Sequence, residues 1–149
     1  MPGFDLPLEQ LKNYQGSTPR PNDFEEYWKS ALSELDQVDP CPELVKSDFQ
    51  TAFAECFDLY FTGTKGARIH AQYMRPKNGS GPHPALLIFH GYLSNCGDWA
   101  GRLHFAAAGM AVAALDCRGQ AGQSEDITSG NVSTLFGAIT RGLEQRPEH

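Results

Sequence analysis

No apolar run in this sequence approaches the roughly 18 residues that a membrane-spanning helix needs. The opening residues, MPGFDLPLEQL, hold no basic stretch leading into an apolar core, so no secretory signal is read there. Cationic side chains are outnumbered: 12 Lys and Arg against 18 Asp and Glu give a net charge of −6. That balance argues against nucleic acid and anionic membranes as main partners. Cys41, Cys56, Cys96 and Cys117 form no Cys-x-x-Cys pair, and no His pair completes a zinc pattern, so no metal site is expected. Without a secretory signal the four are read as reduced thiols of a cytoplasmic protein. Internal repeats and low-complexity tracts are also lacking.

What is present suits one globular domain. The length is 149 residues and hydrophobic residues make up 40%. Residues 7–14 carry Leu8, Leu11 and Tyr14 at three-residue steps, a short helical pattern that Pro19 and Pro21 end. Asn22 or Asp23 is placed to cap a helix over 24–35. Its apolar positions, Phe24, Tyr27, Trp28, Ala31, Leu32 and Leu35, form one amphipathic face, with Trp28 as a packing anchor. Residues 52–62 and 67–74 alternate around a Gly-Thr-Lys-Gly turn and predict an antiparallel hairpin, with Ile69, Ala71 and Tyr73 sharing a face. A Pro/Gly loop follows over 76–84.

The pattern then changes. The run Ala-Leu-Leu-Ile-Phe over 85–89 is continuously apolar, as expected of a strand covered on both faces. Residues 99–108 suit a helix with Gly109 at its C-terminal cap, and 111–115 form a second apolar strand. Strand, helix and strand in about 30 residues make one parallel βαβ unit. Residues 121–133 read as a loop, and 135–143 as either a helix start or a continuing loop. The fold class is therefore α/β. A leading antiparallel hairpin followed by βαβ resembles the N-terminal portion of an α/β-hydrolase sheet. A helical extension over 1–44 precedes the first strands and helix of the sheet over 45–149.

Chemistry is expected at the strand ends, where open α/β sheets place their ligand crevices. His90-Gly91-Tyr92 follows the first buried strand. Ester hydrolysis needs backbone N–H groups aimed at the oxygen that becomes negative in the tetrahedral intermediate, and a sharp turn after a central strand presents one. The Tyr92 N–H is the candidate donor; the alternative is an ordinary turn with His90 hydrogen-bonded for structure. Arg118-Gly119-Gln120 follows the second buried strand. It offers a cation for a carboxylate and a glycine for a tight turn, or else is a solvated turn without a role. Ser124 lies in Gly-Gln-Ser-Glu-Asp, with Asp126 where a nucleophile elbow needs glycine, and no strand leads into it; it reads as a loop serine. His70 reads as a strand surface residue and His104 as a helix residue.

The order and spacing of several motifs are more specific than any one of them. They are Phe4-Asp5-Leu6-Pro7-Leu8, Arg20-Pro21-x-Asp23-Phe24-x-x-Tyr27-Trp28, Gly91-Tyr92, Asp98-Trp99, Asp116-x-Arg118-Gly119-Gln120-x-Gly122 and Thr140-Arg141-Gly142. Together they resemble the acetyl xylan esterase and cephalosporin-C deacetylase family, carbohydrate esterase family seven. The resemblance spans nearly all 149 residues and the N-terminal half of a typical member. It implies that Tyr92 gives one oxyanion N–H, that Arg118, Gly119 and Gln120 support the active-site architecture, and that Asp98 and Trp99 line the pocket. The reaction it implies is removal of acetyl groups from acetylated sugars, xylo-oligosaccharides or cephalosporin C through a serine acyl-enzyme. No metal or organic cofactor is implied, and the full-length family forms homohexamers. Two competing readings remain. One is a non-catalytic small-molecule-binding module or pseudoenzyme. The other is a different α/β-hydrolase of peptidase or dienelactone-hydrolase type, against which the Arg-Gly-Gln and the N-terminal Phe-Asp-x-Pro argue.

The serine, acid and histidine of the triad are expected in sequence beyond His149. Residues 1–149 alone are therefore expected to lack the covalent route. The flank of the 85–89 strand left without that next strand is expected to be an apolar edge prone to association. Stopped-flow mixing of the isolated 149-residue chain with an activated acetyl ester should show no acyl-enzyme burst; a stoichiometric burst would contradict this reading.

Overall fold

The computed structural model describes residues 5–79 and 81–126. In chain order the elements are α1 (Leu8–Leu11), α2 (Phe24–Asp36), β1 (Glu43–Lys46), β2 (Ala54–Thr62), β3 (Arg68–Pro76), β4 (Ala85–Phe89), α3 (Leu103–Ala107) and β5 (Ala111–Leu115). The five strands form one mixed sheet in the order β1-β2-β3-β5-β4. The expected hairpin is β2 with β3, in register from Ala54 opposite Pro76 to Thr62 opposite Arg68. The expected parallel pair is β4 with β5, from Ala85 opposite Ala111 to Phe89 opposite Leu115. β3 joins the two halves by pairing antiparallel with β5.

Several expectations are corrected. β1 was not foreseen: its four residues, Glu-Leu-Val-Lys, are all exposed and carry no burial alternation, and pairing with β2 defines it. It straddles the expected boundary between 1–44 and 45–149. α2 forms as expected, but Asp23 stands at its N-cap without a side-chain hydrogen bond. No residue of α2 is buried. Trp28 is 48% exposed and packs on its own helix neighbours Phe24 and Tyr27 rather than anchoring the core. The helix expected over 99–108 divides into a 3-10 turn at Ala100–Arg102 and α3. The expectations for 135–143, for the motif at 140–142 and for Phe4 lie outside the described residues. Among the described residues, no helix is long and apolar enough to cross a membrane. All four cysteines are unpaired.

Ile69 and Ala71 are buried on one face of the sheet, and the main apolar cluster lies on the other, beneath α3. Period-two alternation puts Ala54 and Cys56 of β2, Met74 of β3 and Val112 of β5 on that face. These residues and Ala106 of α3 are buried together, with Leu86, Ile88, Trp99 and Phe105 packed against them. β4 was expected to be covered on both faces. Instead its alternate residues Leu87 and Phe89 are 58% and 60% exposed, because the packed elements among the described residues lie on its other face. Along β3 the same core face changes character from Met74 through Gln72 to His70. Its apolar end lies under α3, and its polar end lies beside the residues that follow β5.

Met74 is 1% exposed at the centre of this cluster. Met74→Ala is expected to cost about 2–5 kcal/mol through lost burial and an unfilled cavity, read as a lowered urea midpoint with unchanged slope.

Candidate active site

Parallel pairing fixes where the two candidate turns meet. Phe89 and Leu115 are register partners, so His90 and Asp116 leave the sheet side by side. The turn starting at His90 and the Arg-Gly-Gln turn therefore lie together at the carboxyl ends of β4 and β5, the usual place for a ligand crevice.

Hydrogen bonds tie one turn to the other at three-residue intervals. The Cys117 N–H donates to His90 Nε2 at 2.9 Å. That leaves the ring proton on Nδ1, which donates to the Gly91 carbonyl at 2.8 Å. His90 is thus a structural tie. The Leu93 N–H donates to Gln120 Oε1 at 2.8 Å. The Cys96 N–H donates to Asp116 Oδ1 at 2.6 Å. The Arg102 guanidinium clamps the Cys96 carbonyl to the Gln72 side chain from below. Tyr92 sits within this frame and is 43% exposed. Leu93 next to it has φ +62°, a left-handed conformation that costs a residue with a Cβ about 1–2 kcal/mol. Such a residue persists where its surroundings determine it, and the Gln120 side chain does so here.

The Arg-Gly-Gln turn divides its labour. Gly119 has φ +67°, which a residue without a Cβ adopts freely. It lets Gln120 face the first turn while Arg118 faces the β2–β3 hairpin. There Arg118 donates to Thr64 Oγ1 at 2.9 Å and lies 3.6 Å from the Asp126 carboxylate, the carboxylate partner its sequence position suggested. Asp98 accepts the Gly101 N–H at 2.9 Å. Trp99 stacks on Phe49, with ring centroids 6.1 Å apart and planes within 5°, and packs against the core.

A buried polar cluster behind these turns was not foreseen. His70, read from sequence as a surface residue, is 0% exposed. It lies on the covered face of β3, where the alternation that placed Ile69 and Ala71 opposite gave no sign of a cover. Its Nδ1 is 2.6 Å from Asp116 Oδ2, and its Nε2 is 3.1 Å from Asp58 Oδ1. The Tyr60 ring lies 5.1 Å from the imidazole. Ser124 is a loop serine, as read, but a buried one, whose Oγ accepts the His70 backbone N–H at 2.9 Å. Serine, histidine and aspartate thus lie together without forming a catalytic triad. The nitrogen that would serve the serine faces Asp58 instead, Ser124 bonds the backbone, and the imidazole is shut from solvent.

The cluster also places ligand atoms of His70, Cys96 and Asp116 within 4.8 Å of one another. A metal fit is poor. The 2.6 Å between His70 Nδ1 and Asp116 Oδ2 is a hydrogen-bond distance. Two ligands about 2 Å from a tetrahedral zinc lie roughly 3.3 Å apart. Burial, the hydrogen bond to Asp116 and its charge push the Cys96 thiol up to about 12, away from the thiolate a metal requires.

Asp116 itself is 1% exposed. Burial alone pushes its carboxyl up, but the Gln123 N–H, the His70 ring, the Cys96 N–H and the Cys96 thiol together outweigh it, and the net shift is downward. Gly122 makes this packing possible, since a Cβ there would overlap the Asp116 carboxylate. A depressed folded value contributes stability that is present above the ordinary value of 3.8 and lost as pH falls through the folded value. Gly122→Ala is expected to cost about 1–3 kcal/mol through overpacking. By loosening the donors around Asp116 it should also move the onset of acid unfolding to higher pH. Urea melts across an acid series check both; an acid limb identical to wild type would show that the donors do not hold the carboxylate charged.

The profile of the family described as acetyl xylan esterase (AXE1) matches residues 1–149. The crystal structure of acetyl xylan esterase 1 from Thermoanaerobacterium sp. JW/SL YS485 is similar at a TM-score of 0.87 and 55% identity, over 96% of this chain and 45% of that one. The acetyl xylan esterase from Paenibacillus sp. R4 is similar at a TM-score of 0.74 and 31% identity, over 83% of this chain and 40% of that one. The chain thus spans less than half the length of either protein. With a mixed α/β sheet of the same fold and a matching sequence profile along its length, the chain belongs to the acetyl xylan esterase family.

Proposed function

We propose that this chain contributes the oxyanion side of a carboxylic-ester hydrolase that removes acetyl groups through a serine acyl-enzyme. The observation that carries the reading is the junction of the Gly91-Tyr92 turn with the Arg118-Gly119-Gln120 turn at the carboxyl ends of two parallel strands, linked through Leu93 and Gln120. In this reading the Tyr92 N–H donates to the oxygen that becomes negative in the tetrahedral intermediate. Arg118, Gly119 and Gln120 support that donor without entering the reaction. The family resemblance also assigns Asp98 and Trp99 to the border of the acetyl pocket, although here Trp99 stacks on Phe49 and packs against the apolar core and Asp98 accepts the Gly101 N–H. A serine activated by a histidine–acid pair attacks the carbonyl, and water releases acetate.

The substrates are small acetyl esters: acetylated sugars, xylo-oligosaccharides and the acetyl group of cephalosporin C. Similarity to two acetyl xylan esterases supports the carbohydrate members of that set. We assign the serine, acid and base to none of the described residues, and residues 1–149 are inactive by themselves in this reading. The working protein needs no metal or organic cofactor, forms a homohexamer and acts in the cytoplasm, where its four unpaired thiols suit reducing conditions.

The protein expressed from its complete gene should hydrolyse 4-nitrophenyl acetate much faster than longer acyl esters and release acetate from acetylated xylo-oligosaccharides. Tyr92→Pro, which deletes the donor N–H, should lower kcat by about 10²–10³ and leave KM nearly unchanged. Absence of acetyl-ester turnover in the wild-type protein would refute the esterase reading, and an unaltered kcat in Tyr92→Pro would refute the role of Tyr92.

A further inference from the structure

We propose that Asp116, held by His70, and Gln120 are positioning residues that set the backbone course of the 90–96 turn, and with it the aim of the Tyr92 N–H. The inference rests on the esterase reading for its catalytic consequence; its structural content stands separately. Three bonds carry it. Cys117 N–H holds the start of the turn at His90, the Gln120 side chain holds its middle at Leu93, and the Asp116 carboxylate holds its end at Cys96. Tyr92 lies between the first and second ties. The second turn thus acts as a template for the first, touching it at every third residue.

Asp116 is the stiffest part of this template. Its Oδ1 accepts the Cys96 N–H at 2.6 Å, and its Oδ2 accepts the Gln123 N–H at 2.8 Å and lies 2.6 Å from His70 Nδ1. Short bonds to a charged acceptor in a buried site are the strong ones. His70 extends the anchor to β2 through Asp58, so the template is referenced to the β2–β3 hairpin as well as to β5. Gln120 holds the N–H of Leu93, whose left-handed φ is a strained conformation for a residue with a Cβ. An oxyanion donor must meet the transition-state oxygen within a few tenths of an ångström, and an error of about 1 Å costs roughly 10²-fold. Residues that never touch substrate can therefore limit turnover.

The test uses the protein from its complete gene, with Gln120→Ala, Gln120→Glu and Asp116→Asn. Gln120→Ala removes an acceptor at a half-buried position and should fold; Gln120→Glu keeps an oxygen for Leu93. Asp116→Asn keeps one acceptor oxygen for Cys96 and turns an N–H₂ toward the Gln123 N–H. For 4-nitrophenyl acetate, Gln120→Ala should lower kcat by about 10–100-fold with KM within about two-fold, and Gln120→Glu should recover most of the loss. Asp116→Asn should lower kcat at least as much. Amide hydrogen exchange over 90–96 should accelerate by about 10-fold or more in Gln120→Ala and Asp116→Asn, while the β2–β3 ladder stays protected. The proposal is overturned if exchange over 90–96 is unchanged, or if Gln120→Ala and Gln120→Glu lose kcat equally. If the wild-type protein turns over no acetyl ester, the esterase reading fails, and the exchange measurement alone decides the positioning role.

Discussion

A carboxylate withdrawn from water is costly unless donors meet its lone pairs, and the arrangement at the strand ends depends on how Asp116 meets that condition. Its partners come from three separate stretches: His70 on β3, Cys96 beyond the first turn and Gln123 beyond the second. The carboxylate does what a larger side chain would do in an ordinary core, with direction added: each bond fixes an orientation as well as a distance. Gly122 belongs to the same unit, since only a residue without a Cβ fits against the carboxylate face.

The sheet explains why such a cluster stands there. One face runs from Ala54, Cys56, Met74 and Val112 beneath α3 to Asp58, His70 and Asp116 at the carboxyl ends of the parallel strands. The apolar end supplies burial and the polar end supplies direction. Arg102, at the start of α3, spans the transition by binding Gln72 on the sheet and the Cys96 carbonyl on the loop. Directional hydrogen bonds are thus concentrated at the carboxyl ends of the parallel strands, with the apolar core a few residues away.

Much of this was legible in the sequence, and what was not has identifiable physical causes. The hairpin and the two parallel strands were visible because alternation and continuous apolar runs are strong signals, broken by Gly-Thr-Lys-Gly and by the Pro/Gly loop over 76–84. The junction of the two turns followed from their shared place after parallel strands. β1 was invisible because its four exposed residues carry no pattern and only a partner strand defines it. Trp28 misled because an amphipathic stripe shows that a face is apolar without showing what covers it; among the described residues that face is open. His70 misled for the opposite reason. A histidine alternating with Ile69 and Ala71 looks like the polar side of a half-exposed strand, and its partners, Asp58 and Asp116, are 12 and 46 residues away. Ser124 was read as a loop serine and lies outside any helix or strand, while its bond to the His70 backbone N–H had no local signature.

The three ties to the 90–96 turn reach main-chain groups at residues 93 and 96 and a ring nitrogen at His90, and none grips the side chains at positions 92, 94 or 95. Main-chain and ring groups at those three points therefore set the course of the turn, and Asn95 adds a further hold through its Oδ1, which accepts the Gly97 N–H at 2.8 Å. A change of side chain at the exposed Ser94 removes none of these bonds, so the shape and polarity of the turn's outer surface can vary there while its backbone course is kept. Variation at Ser94 is inexpensive in these terms and variation at Asp116 is costly, because any change of residue there disturbs three segments at once.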